Sequence, residues 1–282
     1  MSKEHEVLPQ GLKRHEILVD GLETSYIEAG KGKAVVLLHG GEFGGNAQIC
    51  WEATIPALAQ HFRVIAPDLL GFGMTAKIMD FVDGRGRRLR HLARFLELVG
   101  AEGAACVGNS MGGMLALFDA ASASPLLKPE RIVSIAGAGA LNNDSEHMKA
   151  LVDYDGSKLG MRKIVEALFH DTKWPDDDTY VERRRESSLA PGAWEAVAAA
   201  RFRRPAEVQV PHKPSQIAYE KIGVPTLIIA GENDKLKPDG WWNLLTDAIP
   251  DARSIVIANA GHCAQLEQPD VVNQALIDFL KS

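Results

Sequence analysis

Short apolar runs alternate with stretches of helical periodicity along most of the chain, the pattern of a mainly parallel sheet covered on both faces. Ala34-Val35-Val36-Leu37-Leu38 is continuously apolar, as expected for a central strand buried on both sides. Ile17-Leu18-Val19 and Ser25-Tyr26-Ile27 read as an opening antiparallel pair turned by Asp20-Gly21. Trp51 to Gln60 predicts a helix, Arg63-Val64-Ile65-Ala66 a strand, and Arg85 to Val99 a further helix. Ala104-Ala105-Cys106-Val107, Arg131 to Ile135, Pro225 to Ala230 and Ser254 to Ile257 supply the later strands. Gly84-Arg85-Gly86 lacks the third glycine of a dinucleotide fingerprint and reads as loop.

The alternation stops between about Ala140 and Gln216. That stretch has no strand-like run and predicts helices over Met161 to Phe169, Asp177 to Ser187 and Pro191 to Phe202. The chain therefore divides into an α/β core, residues 1–139 and 217–282, and a helical cap, residues 140–216. An insertion at that point would lie over the carboxyl edge of the sheet, where open α/β sheets bind ligands.

Composition narrows the function classes. Hydrophobic content of 46% and charged content of 24% exclude a disordered chain. A net charge of −6 argues against nucleic acid. No run is long enough for a membrane span, and Met1 to Gln10 is polar, unlike a signal peptide. Cys50, Cys106 and Cys263 are odd in number with no metal-ligand spacing, so neither a disulfide framework nor a metal is expected, and the expected location is cytoplasmic. Association as a homodimer is left open.

The chemistry begins at Gly108-Asn109-Ser110-Met111-Gly112, a Gly-x-Ser-x-Gly between an apolar strand and the apolar helix start Gly113 to Phe118. In that context the turn is a nucleophile elbow that lifts a serine hydroxyl above the sheet edge. A reactive serine needs a histidine to take its proton and a carboxylate to orient the histidine, in the chain order serine, acid, histidine. Asp234 follows the strand ending at Ala230, with Glu232 as the competing acid closer to the strand. His262, in the loop after Ile257, is the expected base. His5, His15, His61, His91, His147, His170 and His212 are read as surface or core residues. An oxyanion hole needs two backbone N–H donors. Met111, directly after the nucleophile, is one; Gly41 of His39-Gly40-Gly41 is the choice for the other, with Gly40 its alternative and His39 a residue holding that loop.

Taken together, Leu37 to Gly41, Asp68-Leu69-Leu70-Gly71-Phe72-Gly73, Gly108 to Gly113, Gly231 to Pro238 and Gly261-His262 make the chain resemble an α/β-hydrolase. More narrowly it resembles the meta-cleavage product hydrolases of aromatic-compound degradation. The likeness runs from about Gly21 to Leu280. It implies cofactor-independent hydrolysis of a carbon–carbon bond in a small-molecule 2-hydroxy-6-oxohexa-2,4-dienoate. It also implies a cap arginine for the dienoate carboxylate, aligned with Arg185 in Glu182-Arg183-Arg184-Arg185-Glu186, while Arg183 and Arg184 read as a solvated face. Gly40, Cys50, Asn109 and Cys263 are the other expected substrate contacts. Cys50 stands where that family usually has asparagine, and Cys263 where it favours tryptophan. Those two departures keep a rival open, an ester or lactone hydrolase with the same triad. A ligand-binding receptor on the same fold is a third reading.

Overall fold

The computed structural model describes residues 12–199 and 217–282, and the apolar runs pair there into one eight-stranded sheet. β1 (Lys13–Val19) and β2 (Leu22–Ala29) are antiparallel, with Asp20 at φ 48° and Gly21 at φ 81°, the positive pair that a two-residue hairpin turn requires. β3 (Ala34–Leu38) follows, then α1 (Ala47–Trp51) and α2 (Thr54–Leu58), β4 (Arg63–Pro67) and α3 (Gly84–Leu98). β5 (Ala105–Asn109), α4 (Met111–Ala120) and β6 (Ile132–Ile135) complete the first half. α5 (Glu146–Val152), α6 (Lys158–Leu168), α7 (Lys173–Asp176), α8 (Asp178–Leu189) and α9 (Ala193–Ala198) come next. β7 (Thr226–Gly231), α10 (Trp241–Ala248), β8 (Ala252–Ile257), α11 (Ala264–Glu267) and α12 (Pro269–Lys281) close the chain.

The strand order is β1-β2-β4-β3-β5-β6-β7-β8, parallel from β4 to β8. From β3 the chain moves first to β4 on one side and then to β5 on the other. That reversal opens a crevice at the carboxyl ends of β3 and β5. Burial on both faces explains the unbroken apolar runs: Val36 and Leu38 enter one core while Val35 and Leu37 enter the other.

Three expectations change. The helix read over Trp51 to Gln60 is two short helices, the first capped by the Asn46 side chain, which accepts from the Ile49 N–H at 2.9 Å. Gly84-Arg85-Gly86 is no loop but the first turn of α3, with the Asp83 carboxylate accepting from the Gly86 N–H at 3.3 Å. α5 and α7 were not foreseen; α5 buries no residue, so it carries little apolar periodicity to read. The predicted helix over Pro191 to Phe202 is represented by α9, and its end lies outside the described residues, as do residues 203–216 of the expected cap. No described helix is long and apolar enough to cross a membrane.

Candidate active site

Ser110 sits between β5 and α4 at φ 50° and ψ −114°, a conformation costly for any residue with a Cβ. Its N–H donates to Ile135 O at 2.8 Å, which ties the turn to β6. A Cβ on Gly108 would collide with the Gly112 backbone, and one on Gly112 with Leu38 O. Both glycines are required because helix and strand approach closely on either side of the serine.

Asp234 lies just past β7, and its Oδ2 accepts from His262 Nδ1 at 2.8 Å while Oδ1 accepts from the Leu236 N–H at 2.9 Å. Burial works to raise the Asp234 carboxyl, but His262, the Leu236 N–H and Lys237 outweigh it and hold the carboxyl below its ordinary value. The competing acid, Glu232, is exposed. His262 follows β8 and is held from the helical segment, its N–H donating to Leu168 O at 2.9 Å. With Nδ1 committed to Asp234, Nε2 is the nitrogen left for a serine proton.

Ser110 and His262 line one cavity of about 330 Å³, together with Gly41, Met111, Leu168 and Lys237. Met111 is the first residue of α4, so its N–H has no intrahelical acceptor and sits at the positive end of the helix. Gly41 packs against the Met111 side chain, which brings the β3 loop beside the elbow. His39 is buried and structural: Nδ1 donates to Gly40 O at 2.7 Å and Nε2 accepts from the Leu69 N–H at 2.9 Å.

Residues 35–275 match the model of the alpha/beta hydrolase family. The chain is 35% identical over 269 residues to a 2-hydroxy-6-oxo-6-(2'-aminophenyl)hexa-2,4-dienoic acid hydrolase of Metapseudomonas resinovorans, covering 92% of this chain and 88% of that protein. It belongs to the α/β-hydrolases, among the meta-cleavage product hydrolases. A 2-hydroxy-6-oxo-2,4-heptadienoate hydrolase of Pseudomonas putida is 31% identical, with 94% and 95% of the two chains covered. The solved meta-cleavage product hydrolase of Pseudomonas fluorescens IP01 superposes with a TM-score of 0.83 at 30% identity, covering 95% of this chain and 97% of that one.

The residues expected to contact substrate lie as follows. Gly40, Cys50, Asn109, Arg185 and Cys263 are all absent from the lining of the cavity that holds Ser110. Asn109 Nδ2 donates to Ile135 O at 3.2 Å and His262 O at 3.1 Å, bracing the loop of His262 against the elbow. The Cys50 thiol faces Asn109 Oδ1 at 3.8 Å, and burial pushes the thiols of Cys50 and Cys263 up, so both stay neutral. Arg185 turns away: Nε donates to Gly156 O at 2.9 Å and Nη1 to Glu182 at 2.7 Å. Arg183 pairs with Glu52 near the surface.

The arginine that turns inward is Arg184, 1% exposed and expected on a solvated face. Its Nη2 meets Glu42 Oε1 at 2.5 Å, its Nη1 donates to Tyr180 Oη at 3.0 Å, and its buried Nε has no hydrogen-bond partner. Burial would raise the Glu42 carboxyl, but Arg184 overcomes this and holds it low. Removing one partner of a buried pair strands the other charge. Glu42→Ala should therefore destabilise the protein by about 3–5 kcal/mol. Chemical denaturation measures it, and a loss under 1 kcal/mol would mean water reaches Arg184 freely. Lys237, also unforeseen, is a buried lysine in the cavity wall.

Proposed function

We propose that the chain hydrolyses a carbon–carbon bond in a 2-hydroxy-6-oxohexa-2,4-dienoate-type ring-cleavage product. The carrying observation is that His262, held by Asp234, lines the same cavity as Ser110, in a chain whose relatives are dienoate hydrolases. The dienol is first ketonised, which makes C5 a carbon able to leave. Ser110 Oγ then attacks the C6 carbonyl as His262 takes its proton. The oxyanion is met by the N–H groups of Met111 and Gly41. The C5–C6 bond breaks, its electron pair goes to the dienol fragment, and His262 returns the proton there. Water, deprotonated by His262, attacks the acyl group; the acid leaves Ser110, and His262 returns that proton to Ser110 Oγ.

On this reading the helices after β6 act as a cap. Arg184, which meets the cavity-lining Glu42 without itself lining the cavity, replaces Arg185 as the arginine for the dienoate carboxylate, through its unpartnered Nε. The three free, buried cysteines agree with a cytoplasmic enzyme. One observation favours the ester or lactone reading instead: Glu42 already matches the Arg184 charge, which lowers the gain from binding an anion there. A screen of the purified protein against coloured dienoates, short esters and lactones separates the two. The expected result is a kcat/KM for dienoates at least about a hundredfold above that for neutral esters, equivalent to about 2.7 kcal/mol of extra transition-state binding. A preference for neutral esters would replace the first reading by the second.

A further inference from the structure

Lys237 is 4% exposed, yet it lines the cavity with Ser110 and His262. A buried ammonium costs free energy unless its charge and its three donors are met. Among the described residues no carboxylate forms a salt bridge with it. Nζ donates to Ala138 O and lies 4.3 Å from the centre of the Trp241 ring, which meets the charge only in part. Burial pushes its pKa down to about 8 against the pull of Asp234, so at neutral pH the side chain remains mainly cationic. Among the described residues, Leu141, Met148 and Leu151 give the same cavity an apolar wall. The opposing charge in the lining, Glu42, is taken by Arg184.

Strand order says which part of a substrate would reach this lysine. The crevice loops run in the order β3, β5, β6, β7. Glu42 follows β3, Ser110 follows β5, and Lys237 follows β7, so the nucleophile stands between the Glu42–Arg184 pair and Lys237. If the dienoate carboxylate lies towards Arg184, which rests on the reading above, the substituent on the other side of the attacked carbonyl points to Lys237. That substituent leaves with the carbonyl as the acyl group on Ser110.

We propose that Lys237 forms an anion-reading subsite for the acyl half of the substrate, so that the acid released from Ser110 is a short dicarboxylate. The carboxylate at the far end of the acyl chain takes the free N–H donors of Lys237, while the methylenes between lie against the apolar wall.

Two measurements on the intact protein test this, neither needing a dienoate. The first compares p-nitrophenyl monoesters of glutaric and adipic acid with the pentanoate and hexanoate esters, corrected for uncatalysed hydrolysis. The ratio of kcat/KM, charged over neutral, should exceed about ten in the wild type, fall towards one in Lys237→Met, and be partly kept in Lys237→Arg. In the wild type the ratio should fall as pH rises through about 8, as the ammonium is lost. His262 and Glu42 in the lining, and Asp234 behind His262, are retained in Lys237→Met, so a fall in the ratio that survives in that variant would belong to one of them and overturn the assignment to Lys237. The second measurement is calorimetric binding of glutarate against pentanoate, which requires no turnover: glutarate should bind at least about tenfold more tightly, and Lys237→Met should erase the difference. Equal affinity for the two acids in the wild type overturns the subsite whatever the variant does. An equal loss on charged and neutral esters in Lys237→Met also overturns it, making Lys237 a positioning residue for Asp234. A dienoate screen that fails while glutarate still binds selectively would overturn the dienoate reading and leave this subsite standing.

Discussion

Ser110→Ala will lower kcat by roughly 10⁴- to 10⁶-fold, the range found when a member of a serine triad is removed and only oxyanion and binding terms remain. The melting temperature should barely move, because alanine carries the same Cβ into the same φ of 50°. Ser110→Gly provides the contrast. Glycine adopts positive φ without steric cost, so that variant should be equally inactive and more stable by about 1 kcal/mol. Single-turnover kinetics and thermal denaturation on the three proteins separate the two effects. Wild-type-like turnover in Ser110→Ala would falsify the nucleophile assignment.

Asp234→Asn is expected to cost about 10⁴-fold in kcat. The carboxylate accepts from Nδ1, leaving Nε2 free as the base. An amide can turn its NH2 to that nitrogen, which favours the tautomer protonated on Nε2, unable to take a proton from serine. It also no longer stabilises the imidazolium. Because the Asp234 carboxyl is held below its ordinary value, the stability it contributes is complete above about pH 3.9 and is lost only as pH falls through the lower folded value. Glu232→Gln, on an exposed side chain, should change kcat less than about twofold. A larger effect from Glu232 than from Asp234 would move the acid two residues back.

What could be read from the sequence follows what burial imprints on it. β3 is foreseen residue for residue because both its faces are buried and every position is apolar. The elbow and Asp234 are legible because each stands at the end of such a buried strand, whereas His262 follows the partly exposed edge strand β8 and is marked by the chain order and the preceding Gly261. The arginines were misread because Glu182 to Glu186 is wholly charged and offers no apolar period. A signal was present further out: Tyr180, Arg184 and Ser188 recur every four residues, and all three are buried on one face of α8. Lys237 gave less, a lysine between Leu236 and Pro238 in a loop, where exposure is the usual outcome for its type. Cys50 and Asn109 hydrogen-bond beside the elbow, and their side-chain direction, which no one-dimensional pattern carries, makes Asn109 a brace there.

The Glu42–Arg184 pair joins residues 142 apart, linking the loop after β3 to α8. Its surroundings exclude mobile ions, unlike Arg183–Glu52 or Lys158–Asp178 near the surface. At 0.1 M salt the Debye length is about 10 Å in water, and it screens only charges the electrolyte can surround. Raising ionic strength will thus loosen the outer contacts of the helical segment while its inner tether to the sheet keeps its full strength.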